Sequence, residues 1–102
     1  MNTLMLIKHI ETRTVVAQYF NSENEAIWTW SRLPISDEWE VIYLEERKPS
    51  GHRYELIYTK EDEKGILYPK YIICFSKKEA LYLKNKIERI NQHYIIQIKK
   101  LY

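Results

Sequence analysis

Side chains that could do metal or nucleophilic chemistry are scattered along this sequence. The three histidines, His9, His52 and His93, lie in different segments, and no H-x-x-x-H, C-x-x-C or D-x-D spacing groups metal ligands. Cys74 is the only cysteine, and it lies inside the apolar stretch YIICF, which itself contains no cation to activate the thiol. The sequence therefore predicts no metal site and a buried, inert cysteine.

Carboxylates and glycines give no better support for catalysis. Glu45 and Glu46 are neighbours on an expected strand and would point to opposite faces, so they cannot act as a pair. The acids at 61–63 lie in a lysine-flanked loop, where solvation is their simplest role. With only two glycines, the chain has neither G-x-x-x-x-G-K nor G-x-G-x-x-G to cradle a phosphate. We expect a protein that is not an enzyme and that has no cofactor.

Aromatic residues are frequent, with nine tyrosines and three tryptophans in 102 residues. Alternation in WEVIYLEE places Trp39 and Tyr43 on one face of a strand, and alternation in YELIY does the same for Tyr54 and Tyr58. Exposed Trp and Tyr side chains dominate the hot spots of protein interfaces. These four residues are therefore the predicted protein-binding residues, with the alternative that loops or a partner subunit cover the same face.

Charge is distributed unevenly between the two halves of the chain. Residues 1–51 carry five Lys and Arg against eight Asp and Glu, whereas residues 52–102 carry eleven against six. A basic half can neutralise phosphates, and an aromatic sheet face can stack single-stranded bases. Lysines on an outer helix face also serve solubility, and the glycine–aromatic signature of RNA-recognition strands is absent. Nucleic-acid binding is thus the alternative prediction, through Lys77, Lys78, Lys84, Arg89, Lys99 and Lys100.

The elements that must position these residues follow a repeated pattern. SENEAIW at Ser22–Trp28 and SKKEALY at Ser76–Tyr82 share a serine, two polar residues, Glu-Ala, a branched aliphatic and an aromatic. Each S-x-x-E is a capping box, in which the serine accepts from the third helical N–H and the glutamate reaches back to the serine N–H. Two capped helices are therefore predicted.

The same offset of 54 residues also aligns the strand-like stretches WEVIYLEER and HYIIQIKKL. Ile42 and Leu44 then match residues of the last strand that we place on the helix-covered face of a sheet. By alternation, Trp39 and Tyr43 fall on the opposite face, which meets water in a domain with helices on one side. This assignment carries the prediction of a protein-binding face.

Two strands precede each expected helix and one follows it, so each copy reads ββαβ. The predicted fold is α+β, a tandem ββαβ repeat (ββαβββαβ) with pseudo-twofold symmetry. Its mostly antiparallel sheet, of about six strands, carries both helices on one face. A single copy would be marginal alone. Residues 1–102 are therefore expected to form a single domain, with halves 3–47 and 53–102 sharing one core and a joint at 48–52. Pro69 removes a ladder donor and predicts an edge, a bulge or a twisted entry.

Composition also bears on the setting. No apolar run approaches the roughly 18–20 residues that span a bilayer, and one cysteine cannot form an internal disulfide, so we expect a cytoplasmic protein without a membrane partner. The abundance of Ile, Lys and Tyr is typical of AT-rich genomes, including those of low-GC bacteria and their phages. The predicted function is a small protein-binding module, for example a phage or mobile-element inhibitor of a host or defence complex. Self-assembly into a homodimer is a third prediction.

Overall fold

The computed structural model describes residues 2–34 and 37–102. Its elements confirm the α+β class, since two helices and two antiparallel sheets are present. In chain order they are β1 (Thr3–His9), β2 (Val15–Phe20), α1 (Glu23–Ser31), β3 (Trp39–Glu46), β4 (Tyr54–Glu61), β5 (Leu67–Cys74), α2 (Lys77–Ile90) and β6 (Ile95–Lys100).

The chain divides into two compact units, Met1–Lys48 (unit 1) and Pro49–Tyr102 (unit 2), at the predicted joint. In the described residues of unit 1, the strands form a sheet of order β2-β1-β3, and those of unit 2 form a sheet of order β5-β4-β6. Two three-stranded sheets therefore stand where one sheet of about six strands was predicted. Alternation identifies strands, but it does not say which edges pair. All pairs are antiparallel, as expected.

In unit 1, α1 packs on one face of its sheet. Met5, Ile7, Phe20 and Ala26 form the buried cluster between them. Among the nine residues of α1, all of which are described, Ala26 alone is buried. Partly buried hydrophobic side chains complete the packing: Val16, Trp30, Trp39, Val41 and Leu44.

The opposite face of this sheet was predicted to meet water, but three of its residues are buried. Leu4, Leu6 and Val15 lie on it by register, and each is 0% exposed.

A β-bulge interrupts β3. Between Leu6 and Ile7 of β1, the partner residue changes from Tyr43 to Val41, so Ile42 is an extra residue in the ladder. A bulge of this kind breaks the regular alternation of side chains along its strand. Residues on the two sides of Ile42 therefore do not follow the facing that simple alternation predicts.

In unit 2, α2 is anchored more firmly. Ala80, Leu83 and Ile87 recur on one side of its fourteen residues and are each 0% exposed, as the helical periodicity predicts. Fully burying a Leu or Ile side chain contributes about 1.5–3 kcal/mol, so two such residues anchor α2, whereas the one fully buried residue of α1 is an alanine. The sheet supplies the rest of this core, chiefly Leu56, Tyr58, Ile72 and Cys74. Pro69 lies in β5, which is an edge strand, as expected.

Both predicted capping serines act as N-caps. Ser22 Oγ accepts from the Glu25 N–H, and Ser76 Oγ accepts from the Glu79 N–H, each at 3.1 Å. The reciprocal bond differs from the expectation, because each glutamate accepts from the residue before the serine. Glu25 Oε2 accepts from the Asn21 N–H at 3.1 Å, and Glu79 Oε1 accepts from the Phe75 N–H at 3.2 Å.

Candidate functional site

The predicted protein-binding residues do not share one face. Because of the bulge at Ile42, Trp39 and Val41 pack against the cluster beneath α1, whereas Tyr43 pairs with Leu6 and points to the other face. The prediction that Trp39 and Tyr43 lie together opposite the helix is therefore wrong. It assumed unbroken alternation along β3.

Tyr54 and Tyr58 lie on the face of unit 2 that α2 covers, together with Leu56. Tyr58 is 1% exposed, and its ring packs edge-on against Tyr94 with centroids 5.2 Å apart. Tyr58 thus belongs to the core of this unit rather than to its surface. Tyr54 is half-buried near the start of α2, where part of its ring borders an open cleft.

An apolar surface that sequence reasoning missed lies on the other face of unit 2. Leu67, Tyr71 and Ile95 point away from α2 and are 54%, 54% and 61% exposed. Register makes them part of one continuous surface, because Ile57 stands opposite Tyr71. We call this surface the apolar sheet face; it comprises Ile57, Leu67, Pro69, Tyr71, Ile73 and Ile95. The signal was the alternation of large apolar residues in LYPKYII.

The two helices also expose matching pairs. Ile27 and Trp28 of α1 are 51% and 59% exposed, and Leu81 and Tyr82 occupy the corresponding positions of α2. A cation one turn onward lies over each aromatic ring. Arg32 is 4.2 Å from the Trp28 ring centroid, and Lys86 is 5.8 Å from that of Tyr82. Such contacts stabilise exposed rings by about 0.5–1 kcal/mol.

The predicted basic residues are divided by the fold. Lys77, Lys78 and Arg89 are exposed on α2, but Lys84 forms an ion pair with Glu88 at 3.7 Å. On β6, the exposed Lys99 and Lys100 alternate, so they point to opposite faces of the sheet. The structure therefore brings only part of this set together.

A cleft of about 400 Å³ gathers Lys77 and Lys100 from that set with Tyr54 from the aromatic set. It lies between the first two turns of α2 and the strands β4 and β6, and we call it the α2–β6 cleft. Leu81 and Ile98 complete its lining. No carboxylate is among these lining residues.

Residues suited to metal or acid–base chemistry stay dispersed. His9 Nδ1 accepts from the Thr12 N–H at 3.1 Å, and its ring packs edge-on against Trp39 at 5.0 Å. It borders a pocket of about 230 Å³ with Glu11, Asp37 and Glu38. Within residues 2–34 and 37–102, no three His, Cys, Asp or Glu side chains are placed to hold a metal ion.

The thiol of Cys74 and the ammonium group of Lys70 are both affected by burial. Cys74 is 0% exposed in the core of unit 2. Partial burial, and secondly the charge of Lys60, lower the pKa of Lys70 from its ordinary value. Lys70 lies on the same face of the sheet as Tyr58, its partner in the ladder.

No known protein-family model, curated protein or solved structure is significantly similar to this chain. In the part of the chain that the structure describes, neither helix has the length and apolarity that a bilayer crossing requires.

Proposed function

We propose that this chain is a non-enzymatic binding module whose target is another protein. The observation that carries the proposal is the apolar sheet face of unit 2, where Leu67, Tyr71 and Ile95 are each more than half exposed. Contiguous exposed apolar surface of this kind marks interaction sites. Tyrosine at the centre of such a surface is a typical hot-spot residue.

The charges around this face indicate the chemistry of the partner. Glu61 lies opposite Leu67 at one end of the face, and Glu55 lies between Ile73 and Lys99 at the other. Two rows without charge lie between these ends: Pro69, Thr59 and Ile95 in one, and Tyr71, Ile57 and Gln97 in the other. A partner that fits would present apolar and aromatic side chains at its centre and polar groups at its rim.

The test compares two tyrosines of β5. Tyr71 lies on the apolar sheet face, whereas Tyr68 is equally exposed, at 55%, on the opposite face of the same strand. Tagged wild-type chain, Tyr71→Ala and Tyr68→Ala are used to capture partners from nuclease-treated lysate of the source organism. We expect a protein that wild type and Tyr68→Ala retain and that Tyr71→Ala loses.

Equal retention by the two variants would contradict this placement of the binding face. Sedimentation of the purified chain over a range of concentrations adds a second arm. If the chain forms a dimer that Tyr71→Ala dissociates and Tyr68→Ala does not, the apolar sheet face binds a second copy of this chain and not a different protein.

The biological setting that we propose is the cytoplasm, as the product of a phage or mobile element that blocks a host or defence complex. The support is the residue usage typical of AT-rich genomes and the small, compact, aromatic-rich chain. Expression of wild type in a host with an active defence system is expected to raise phage plating, and Tyr71→Ala is expected not to. Equal plating with and without the wild-type chain would contradict the inhibitor role.

We also infer that the two units arose by duplication of one ββαβ unit, with pseudo-twofold symmetry. The support is their shared strand order, with the first strand in the centre, and their shared capping geometry. Glu25 and Glu79 accept from equivalent backbone donors, and the exposed helix pairs match in position. A different strand order in either unit, found from backbone contacts measured by NMR, would contradict the duplication.

A further inference from the structure

The α2–β6 cleft is assembled from residues that the fold, rather than the sequence, brings together. Lys77 and Leu81 lie one turn apart on α2, so they share a side of the helix. Ile98 and Lys100 lie two residues apart on β6, so they share a face of the sheet. Tyr54 is the partner of Lys100 in the β4–β6 ladder.

The lining is complementary to a ligand that joins an anionic group to a flat, apolar body. Lys77 and Lys100 supply two ammonium groups, and none of the five lining residues is acidic. Tyr54, Leu81 and Ile98 supply an aromatic ring and two aliphatic side chains. Unit 2 as a whole carries eleven Lys and Arg against six Asp and Glu, which adds long-range attraction for an anion.

We propose that this cleft binds one nucleotide of a single-stranded nucleic acid. The base lies against Tyr54 and the two aliphatic side chains, and the flanking phosphates contact Lys77 and Lys100. The volume of about 400 Å³ is within the range of small-molecule sites and accommodates a single nucleotide. Base–aromatic stacking together with phosphate neutralisation is the general mode of single-strand binding.

Charges outside the cleft favour a strand over a free nucleotide. Lys78, the residue after Lys77, is exposed on α2 and is available to a neighbouring phosphate. The one acid in the first turn of α2, Glu79, has its carboxylate bonded to the Phe75 N–H. A paired duplex does not fit this mode, because its bases are stacked inside the helix.

The experiment measures binding of the full chain to fluorescein-labelled oligo(dT) and oligo(U) of about ten nucleotides, by anisotropy at several salt concentrations. Lys100→Gln and Lys99→Gln form a matched pair, because both side chains are exposed on β6 and only Lys100 borders the cleft. We expect Lys100→Gln to weaken binding by about tenfold and Lys99→Gln by less than about twofold.

Two further readouts separate stacking from charge. Lys100→Gln is expected to reduce the slope of log K against log salt by about 0.7, the value for one phosphate contact on a single strand. Tyr54→Leu keeps an apolar side chain but removes the ring, and it is expected to weaken binding by about tenfold with an unchanged salt slope. Circular dichroism spectra of all three variants check that the fold survives.

Several results would overturn the proposal. One is equal weakening by Lys100→Gln and Lys99→Gln, which would indicate general attraction to a basic surface. Another is the absence of measurable binding at about 50 mM salt, where phosphate contacts are strong. A third is a polyglutamate peptide that binds as tightly as the oligonucleotides and loses affinity in Tyr54→Leu, because the occupant would then be an acidic peptide.

Discussion

Unit 1 and unit 2 place their strands and helix in the same order, yet equivalent positions carry different side chains. In unit 1, the first residue of the central strand is Thr3, and its partner on the third strand is Glu46. In unit 2, the equivalent residues are Tyr54 and Lys100. A small buried side chain beside an acid therefore corresponds to an aromatic ring beside a base.

The helix starts repeat this contrast. α1 begins with Glu23 and α2 with Lys77, each directly after a capping serine. Of the five positions that line the α2–β6 cleft, the two that carry lysines thus have acidic counterparts in unit 1. In this backbone arrangement, the charge of the site therefore depends on a few residues at the ends of the strands and at the start of the helix.

Helix anchoring differs between the units, and this difference predicts the largest effect. Ile87 of α2 is 0% exposed, whereas Leu33, at the corresponding position after α1, is half-buried. We expect Ile87→Ala to lower the free energy of unfolding by about 2–5 kcal/mol and Leu33→Ala by less than about 2 kcal/mol. Urea denaturation followed by circular dichroism measures both. Equal losses would show that the two helices are held alike.

The second prediction concerns an exchange of charge between the two units. Lys77→Glu combined with Lys100→Glu gives unit 2 the acids of unit 1. We expect oligonucleotide affinity to fall on the order of a hundredfold, since each charge-assisted bond contributes about 1.5–3 kcal/mol. Glu23→Lys combined with Glu46→Lys is the converse control in unit 1. A gain of similar size there would mean that charge alone, without the Tyr54 ring, determines binding.

Thr3 lowers the stability of unit 1. Its hydroxyl is fully buried and has no hydrogen-bond partner among the described residues. Because a buried, unsatisfied polar group costs about 1–3 kcal/mol, we expect Thr3→Val to raise the free energy of unfolding by about 1–2 kcal/mol. Thr14→Val is the control, since the Thr14 hydroxyl is bonded to that of Thr12 at 2.9 Å. A loss of stability in Thr3→Val would contradict the prediction.

The capping serines offer a test of how the two helices resemble each other. Ser22→Ala and Ser76→Ala each remove one bond of 3.1 Å to a backbone N–H. We expect each change to lower the free energy of unfolding by about 1 kcal/mol. Hydrogen exchange is expected to quicken more in α1, because its burial anchors are fewer. Faster exchange in α2 after Ser76→Ala than in α1 after Ser22→Ala would reverse this ranking.

The smallest effect concerns pH. Burial and the charge of Lys60 lower the pKa of Lys70, so the unfolded chain holds this proton more tightly than the folded chain. The unfavourable contribution of Lys70 is therefore fully present at neutral pH and is relieved as pH rises through the lowered pKa towards 10.5. Wild type is expected to gain stability relative to Lys70→Gln over this rise. Parallel pH profiles in urea denaturation would contradict it.

Much of the fold was predictable because its signals are local. The capping boxes gave both helix starts, and the periodicity of Ala80, Leu83 and Ile87 gave the buried side of α2. The pairing of strands into two sheets could not be predicted, because it depends on edges that look alike in sequence. The bulge at Ile42 could not be predicted either. A bulge has no signature in composition, yet it changes the face of the sheet to which the following side chains point.

The candidate sites were less predictable than the fold. Tyr71 and Ile95 lie on strands that alternate regularly, but their exposure depends on which face α2 covers. Lys77 and Lys100 are far apart in the chain, and only the ladder between β4 and β6 brings Lys100 beside Tyr54 near the start of α2. Residue type predicted basic and aromatic surfaces, whereas their combination in one cleft required the register.

The single cysteine makes the opening rate of unit 2 measurable in the native chain. Cys74 is fully buried in unit 2, so a thiol reagent in solution can label it only when that part of the structure opens. The labelling rate of native protein therefore reports how often unit 2 opens, without any engineered cysteine. Unit 1 contributes no thiol to the signal, so the lifetime of one half of the molecule can be timed inside the intact chain.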